Sequence, residues 1–100
     1  MAEVRWAPQA ADDLEATCLF IARDSPQIAA TFADRILRAT ALLAGSPRMG
    51  RMVPELGSDN IREIIVGSYR VIYRLRLDEV QVLTVHHGAR FLDAARIEGT

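Results

Sequence analysis

Between Arg62 and Arg90 apolar residues alternate with polar ones in three runs, R-E-I-I-V, Y-R-V-I-Y-R-L-R-L and V-Q-V-L-T-V-H-H, parted by two short turns. Period-two alternation is the mark of strands with one buried face, so the stretch predicts a three-stranded antiparallel meander. Gly67-Ser68 suits a two-residue turn with Gly at positive φ in the first central position, and Asp78-Glu79 is a less ideal second turn. These turns set Val66 against Tyr69, Ile64 against Val71 and Arg62 against Tyr73. They also set Leu77 against Val80, Leu75 against Val82, Tyr73 against Thr84 and Val71 against His86. That face is nearly all apolar. The other carries Ile61, Glu63, Ile65, Arg70, Ile72, Arg74, Arg76, Gln81, Leu83, Val85 and His87, with Arg70 opposite His87. The expectation is that helices pack on the first face and that an arginine-lined second face is left for a partner. The plainer alternative is a surface charge ladder of Arg70, Arg74 and Glu63 that contributes little.

Upstream the period changes. Glu3 to Trp6 alternates and predicts a short strand, ended by Pro8, which suits a first helical turn. Ala10, Ala11, Leu14, Cys18, Ile21 and Ala22 recur at spacings of three and four, predicting a helix over about 8–23, with Asp12, Asp13 and Glu15 near its positive end. Ser25 as N-cap and Pro26 at the first helical position open a second helix over about 26–44, its stripe being Ile28, Ala29, Phe32, Ile36, Ala39 and Leu43. Gly45 is expected to cap it in the left-handed conformation, and Pro47 blocks continuation. Residues 46–60 read as a long connector without structure of its own, and Phe91 to Ile97 as a short helix or frayed tail. The order β-α-α-β-β-β predicts an α+β domain spanning residues 1–100: a helical hairpin on one face of a mainly antiparallel sheet.

Composition narrows the chemistry. Half of the residues are apolar and a quarter charged, which excludes a disordered chain. All twelve basic residues are arginine, so every cationic contact is planar and suited to carboxylate or phosphate. Residues 1–34 hold six acids against two arginines, a net −4, while residues 35–100 hold ten arginines against seven acids, a net +3. This asymmetry is weaker than in dedicated nucleic-acid binders. Cys18 is the lone cysteine, excludes an internal disulfide and reads as a small core hydrophobe. The N-terminus lacks a leader pattern, and no run of about 18 apolar residues occurs, so a soluble cytoplasmic protein is expected. His86 and His87 alternate across a strand and cannot ligate one ion from one face, and no further Cys/His set exists, so no metal or other cofactor is expected. Gly50, Gly57 and Gly67 lack phosphate-loop spacing, and no Ser-His-Asp order stands out. Tyr69, Tyr73 and Trp6 could stack on bases but fit the core better.

The segments W-A-P-Q-A-A-D-D-L, D-S-P, P-R-M-G-R-M-V-P-E, R-E, G-S-Y-R-V-I-Y-R and V-H-H-G-A-R, in this order and spacing, resemble the RelE/ParE superfamily of bacterial type II toxins, over nearly the full chain. The G-R-x-V-P-E and H-G-A-R segments look closer to ParE. The resemblance implies a toxin neutralised by a cognate ParD-like antitoxin, with contact to DNA only indirect, and divides over mechanism. ParE-like members poison DNA gyrase by binding, without catalysis; RelE-like members cut messenger RNA on the ribosome. For the second activity Arg70 and Arg90 match phosphate-holding arginines and His87 could serve as base or acid. The tyrosine that RelE-like enzymes carry near the C-terminus has no counterpart in F-L-D-A-A-R-I-E-G-T, and their lysines are absent. The ParE-like reading leads, with the nuclease and a degenerate non-toxic member as alternatives. Expected partner-binding residues are Arg51, Glu55, Arg62, Arg70, Arg74, Arg76, His87 and Arg90. The acidic antitoxin segment is expected at Arg62, Arg70, Arg74 or Arg90.

Overall fold

Pro8 and Pro26 each open a helix, α1 (Pro8–Ala22) and α2 (Pro26–Ala41), in a computed structural model that describes residues 1–98. A proline at the first helical position gives up an N–H that has no intrahelical partner in any case. The Ser25 hydroxyl accepts the Ile28 N–H at 3.2 Å, the expected N-cap. The end of the hairpin differs from expectation. After α2 a 3-10 turn spans Leu42–Ala44, and Gly45 has φ −93°, which is not left-handed. The Gly45 N–H returns to the Leu42 carbonyl, and the Ala44 carbonyl is satisfied by Ala2 N–H at 2.8 Å. A second chain segment thus does the capping that a left-handed glycine would have done. The first turn of α1 also holds no acid, so Asp12, Asp13 and Glu15 lie beyond the reach of the helix dipole.

The sheet has five strands, β1 (Glu3–Trp6), β2 (Arg51–Met52), β3 (Ile61–Val66), β4 (Tyr69–Arg76) and β5 (Glu79–His87), in the order β1-β5-β4-β3-β2. Only β1 pairs in parallel, with β5, and the architecture is the expected α+β one. Gly67 has φ +60°, and β3 meets β4 in the expected register, Val66 against Tyr69 through Arg62 against Tyr73.

The second hairpin corrects the sequence reading. Its turn residues are Leu77 and Asp78, with Asp78 at φ 61°, so Arg76 faces Glu79 and Tyr73 faces Val82. Asp tolerates the left-handed region where Leu does not, which places it at that position. A slip of two leaves each side chain on its predicted face. A bulge between Ile72 and Tyr73 does not: beyond it Ile72 faces Thr84, Val71 faces Val85, Arg70 faces His86 and Tyr69 faces His87. One extra residue reverses the alternation, so Val85 and His87 move to the helix face and Thr84 and His86 to the other. The Leu83 carbonyl at the bulge accepts from Gln9 Nε2 of α1, at 3.3 Å.

Ala10 of α1 and Phe32 and Ile36 of α2 pack on Val66, Val71, Val82 and Val85, and Tyr73, Leu43 and Val80 extend this core. Trp6, Tyr69 and Cys18 lie partly buried against it, as expected for packing residues. The second face is not left open. Ile61, Ile72 and Leu83 are covered by Val53 from the connector, by Leu92 and by Ile97 of the short helix α3 (Ala94–Glu98). Three aliphatic side chains on that face would each forfeit about 1.5–3 kcal/mol if exposed, which is the force that draws connector and tail across it.

Candidate functional site

Arg70 stands mid-sheet on the second face, and its guanidinium is consumed within the molecule. Its Nε donates to Glu63 Oε1 at 2.6 Å, and Nη1 and Nη2 donate to the two Glu55 oxygens at 2.7 Å each. The other Glu63 oxygen accepts from Arg51 Nε at 2.6 Å. The Glu63 side chain has 0% exposure, so two guanidinium groups balance one fully desolvated carboxylate. The hydrogen bonds from Arg70 lower the Glu55 carboxyl to about 2, and Glu55 in return raises the Arg70 pKa. The sequence register already set Glu63 on the same face as Arg70, whereas Glu55 reaches Arg70 from the connector. What pattern alone could not supply was the path of the connector back to β4.

The other arginines divide. Arg62 donates to Asp59 Oδ1 at 2.7 Å and to the Gly50 carbonyl at 2.9 Å, while Asp59 also pairs with Arg48, which lowers its pKa. Arg74 reaches the Ile97 carbonyl and Arg76 the Gln81 side chain, both at long range of 3.4 and 3.5 Å. Arg51 keeps its outer surface exposed beside Glu63. Arg90 alone among the expected site arginines makes no side-chain hydrogen bond or ion pair within the described residues, and it is exposed.

At the far end of β5 both histidines hold the turn that presents Arg90. His86 Nε2 lies 3.0 Å from the Arg90 carbonyl, which can only accept, so the ring donates there. His87 Nδ1 accepts the Ala89 N–H at 3.1 Å, which leaves the proton of the neutral ring on Nε2. His87 also sets its ring edge-on to Tyr69, with centroids 5.0 Å apart. This corrects both earlier placements: His86 is not on the helix face, and His87 is. A cleft of about 760 Å³ opens here between α1 and the end of β5, with Phe20, Tyr69, His86, His87, Arg90 and Phe91 along it.

The trio suited to cutting RNA is therefore dispersed in role. Arg70 is locked to two carboxylates, His87 is on the opposite face, and Arg90 stands on the turn beyond the strand. Sequence reasoning missed Asp13, which accepts from Thr84 and, at 3.0 Å, from Arg96, joining α1, β5 and α3. Its signal was a charged residue on the edge of an apolar helical stripe. Among the described residues no group of three His, Cys, Asp or Glu is placed to hold a metal ion, and no helix is long and apolar enough to cross a membrane.

A helical hairpin on a five-stranded sheet of this order is the α+β fold of ParE-like toxins, as the motifs implied. The family described as the ParE toxin of the type II toxin-antitoxin system parDE matches residues 4–91, and the chain belongs to it. Among solved structures, a chain of the chromosomal ParDE toxin-antitoxin system from P. aeruginosa matches with a TM-score of 0.72 and 20% identity, covering 87% of this chain and 96% of that one. No curated protein sequence matches.

Proposed function

We propose that residues 1–100 act as a single cytoplasmic toxin domain that arrests growth by binding DNA gyrase without chemistry of its own, and that a cognate antitoxin with an acidic segment neutralises it. Membership in the ParE family over residues 4–91 carries this reading. The commitment of Arg70 to Glu55 and Glu63 favours it over the nuclease, because a guanidinium with three of its donors already on carboxylates is poorly placed to take up a phosphorane's charge. Purified toxin is expected to inhibit gyrase supercoiling at stoichiometric amounts and to leave messenger RNA on translating ribosomes intact. Codon-positioned cleavage without gyrase inhibition would transfer the chain to the nuclease reading, and normal growth on induction would make it a non-toxic member.

A further inference from the structure

We infer that the cleft between α1 and the turn after β5 is the docking site for an acidic peptide segment, which places a carboxylate on Arg90 and His87 and apolar side chains on Phe20 and Phe91. The inference rests on the antitoxin reading and moves its expected anchor away from Arg62 and Arg70, whose guanidinium groups are already spent on Asp59, Glu55 and Glu63.

Three observations carry it. The cleft volume of about 760 Å³ accommodates several side chains, and its walls include rings that no core covers: Phe20 is 64% and Phe91 91% exposed. Its charge is unbalanced in one sense. Among the described residues Asp13 is the only carboxylate along it and is engaged by Thr84 and Arg96, whereas the Arg90 guanidinium has no partner. The turn is also pre-formed. His86 and His87 bond the backbone of Arg90 and Ala89, which leaves His87 Nε2–H as a second donor lining the same cleft as Arg90. A carboxylate entering the cleft meets donors from two side chains on a turn that is already ordered.

The same charges choose peptide over nucleic acid. Asp12 and Glu15 flank a neighbouring shallow groove with Leu19 on the outer side of α1, where a phosphate backbone leaving the cleft would meet them. A peptide can confine its carboxylate to the Arg90 end and run apolar residues along α1. Exposed rings rimmed by Arg90, with the Arg23 guanidinium over the Phe20 ring at 5.8 Å, fit such a mixed ligand.

The test is an NMR titration of the full chain with a labelled peptide alternating glutamate with leucine and phenylalanine, beside an oligothymidylate of similar length. The peptide is expected to shift the amides of Phe20, His87, Arg90 and Phe91. Arg90→Ala should weaken it about tenfold, Arg90→Lys less, and Arg38→Ala, which removes the same charge from the exposed side of α2, should leave it unchanged. The Arg90 side chain has no bond to lose among the described residues, so amide dispersion of Arg90→Ala should match the parent. No binding, shifts elsewhere, equal loss in Arg38→Ala, or tighter binding of the oligothymidylate would overturn the site. Copurification with the product of the adjacent antitoxin gene separates the two readings. A complex indifferent to Arg90→Ala removes the cleft and keeps the antitoxin, whereas no complex removes the antitoxin and leaves the cleft to the peptide titration.

Discussion

Arg70 and Glu55 meet fork to fork, each terminal guanidinium nitrogen 2.7 Å from a different carboxylate oxygen, so the connector is bolted to the central strand of the sheet. Behind them the Glu63 carboxylate has Arg70 and Arg51 as its ion-pair partners among the described residues. Arg70→Ala should therefore cost about 3 kcal/mol, because it strands a buried carboxylate rather than merely deleting a surface contact. Arg70→Lys should recover only part, since an ammonium cannot serve three oxygens in the plane of a fork. Urea denaturation reads both as a lower midpoint at constant slope. A loss below about 1 kcal/mol would mean that Arg51 alone neutralises Glu63.

Acid should loosen the same bolt. Arg70 holds the Glu55 carboxyl at about 2 against an ordinary 4.5, so the unfolded chain takes up that proton first as pH falls. The stabilisation is complete above about pH 4.5 and is lost progressively toward pH 2. Asp59, lowered by Arg48, acts in the same direction. Glu55 is partly exposed, so solvent keeps the effect small. Denaturation of the parent and Glu55→Gln across pH 2 to 7 should give curves that converge on the acid side. Parallel curves would show that the pair contributes nothing to the acid limb.

Tyr73 governs how the connector leaves the helices. Its hydroxyl donates to the Pro47 carbonyl at 2.8 Å and accepts the Gly50 N–H at 3.0 Å, and burial raises its pKa. Tyr73→Phe leaves a buried N–H without a partner and should cost about 1–3 kcal/mol. A methyl at Gly50 would lie 2.5 Å from the Glu63 carbonyl oxygen and 2.7 Å from the Tyr73 hydroxyl, so Gly50→Ala should cost a similar about 1–3 kcal/mol. The double variant should lose less than the sum of both, because removing the hydroxyl relieves part of the clash. Strict additivity would show that the two positions act separately.

Much of this arrangement was legible in the residues, and the misses have identifiable causes. Ser25, Pro8, Pro26 and Gly67 act locally, through side-chain capping and fixed or permissive φ, and each stands where the sequence put it. Gly45 was misread because its helix is capped by Ala2, a residue more than forty positions away. Asp78 rather than Gly sets the second turn, and the bulge at Leu83 is written in no turn residue at all; its Gln9 partner lies on a helix. The histidines consequently changed faces. The cover of the second face was present only as Val53, Leu92 and Ile97, isolated apolar residues too sparse for any period to announce.

That cover should be the most separable part of the structure. Ile97 has 1% and Ile36 0% exposure, yet Ile97 belongs to a helix of five residues, whereas Ile36 is tied into α2 and the main core. Ile36→Ala should cost about 3–5 kcal/mol globally, by lost burial and the cavity it leaves. Ile97→Ala should cost less in the global transition, because the native state can release α3 and retain the helix-face core. Amide exchange should then accelerate in residues 92–97, and a dye that binds apolar surface should find Ile61, Ile72 and Leu83 before unfolding begins. If Ile97→Ala lowers the denaturation midpoint as far as Ile36→Ala, with exchange rising uniformly, the two faces form one cooperative unit and α3 is as integral as α2.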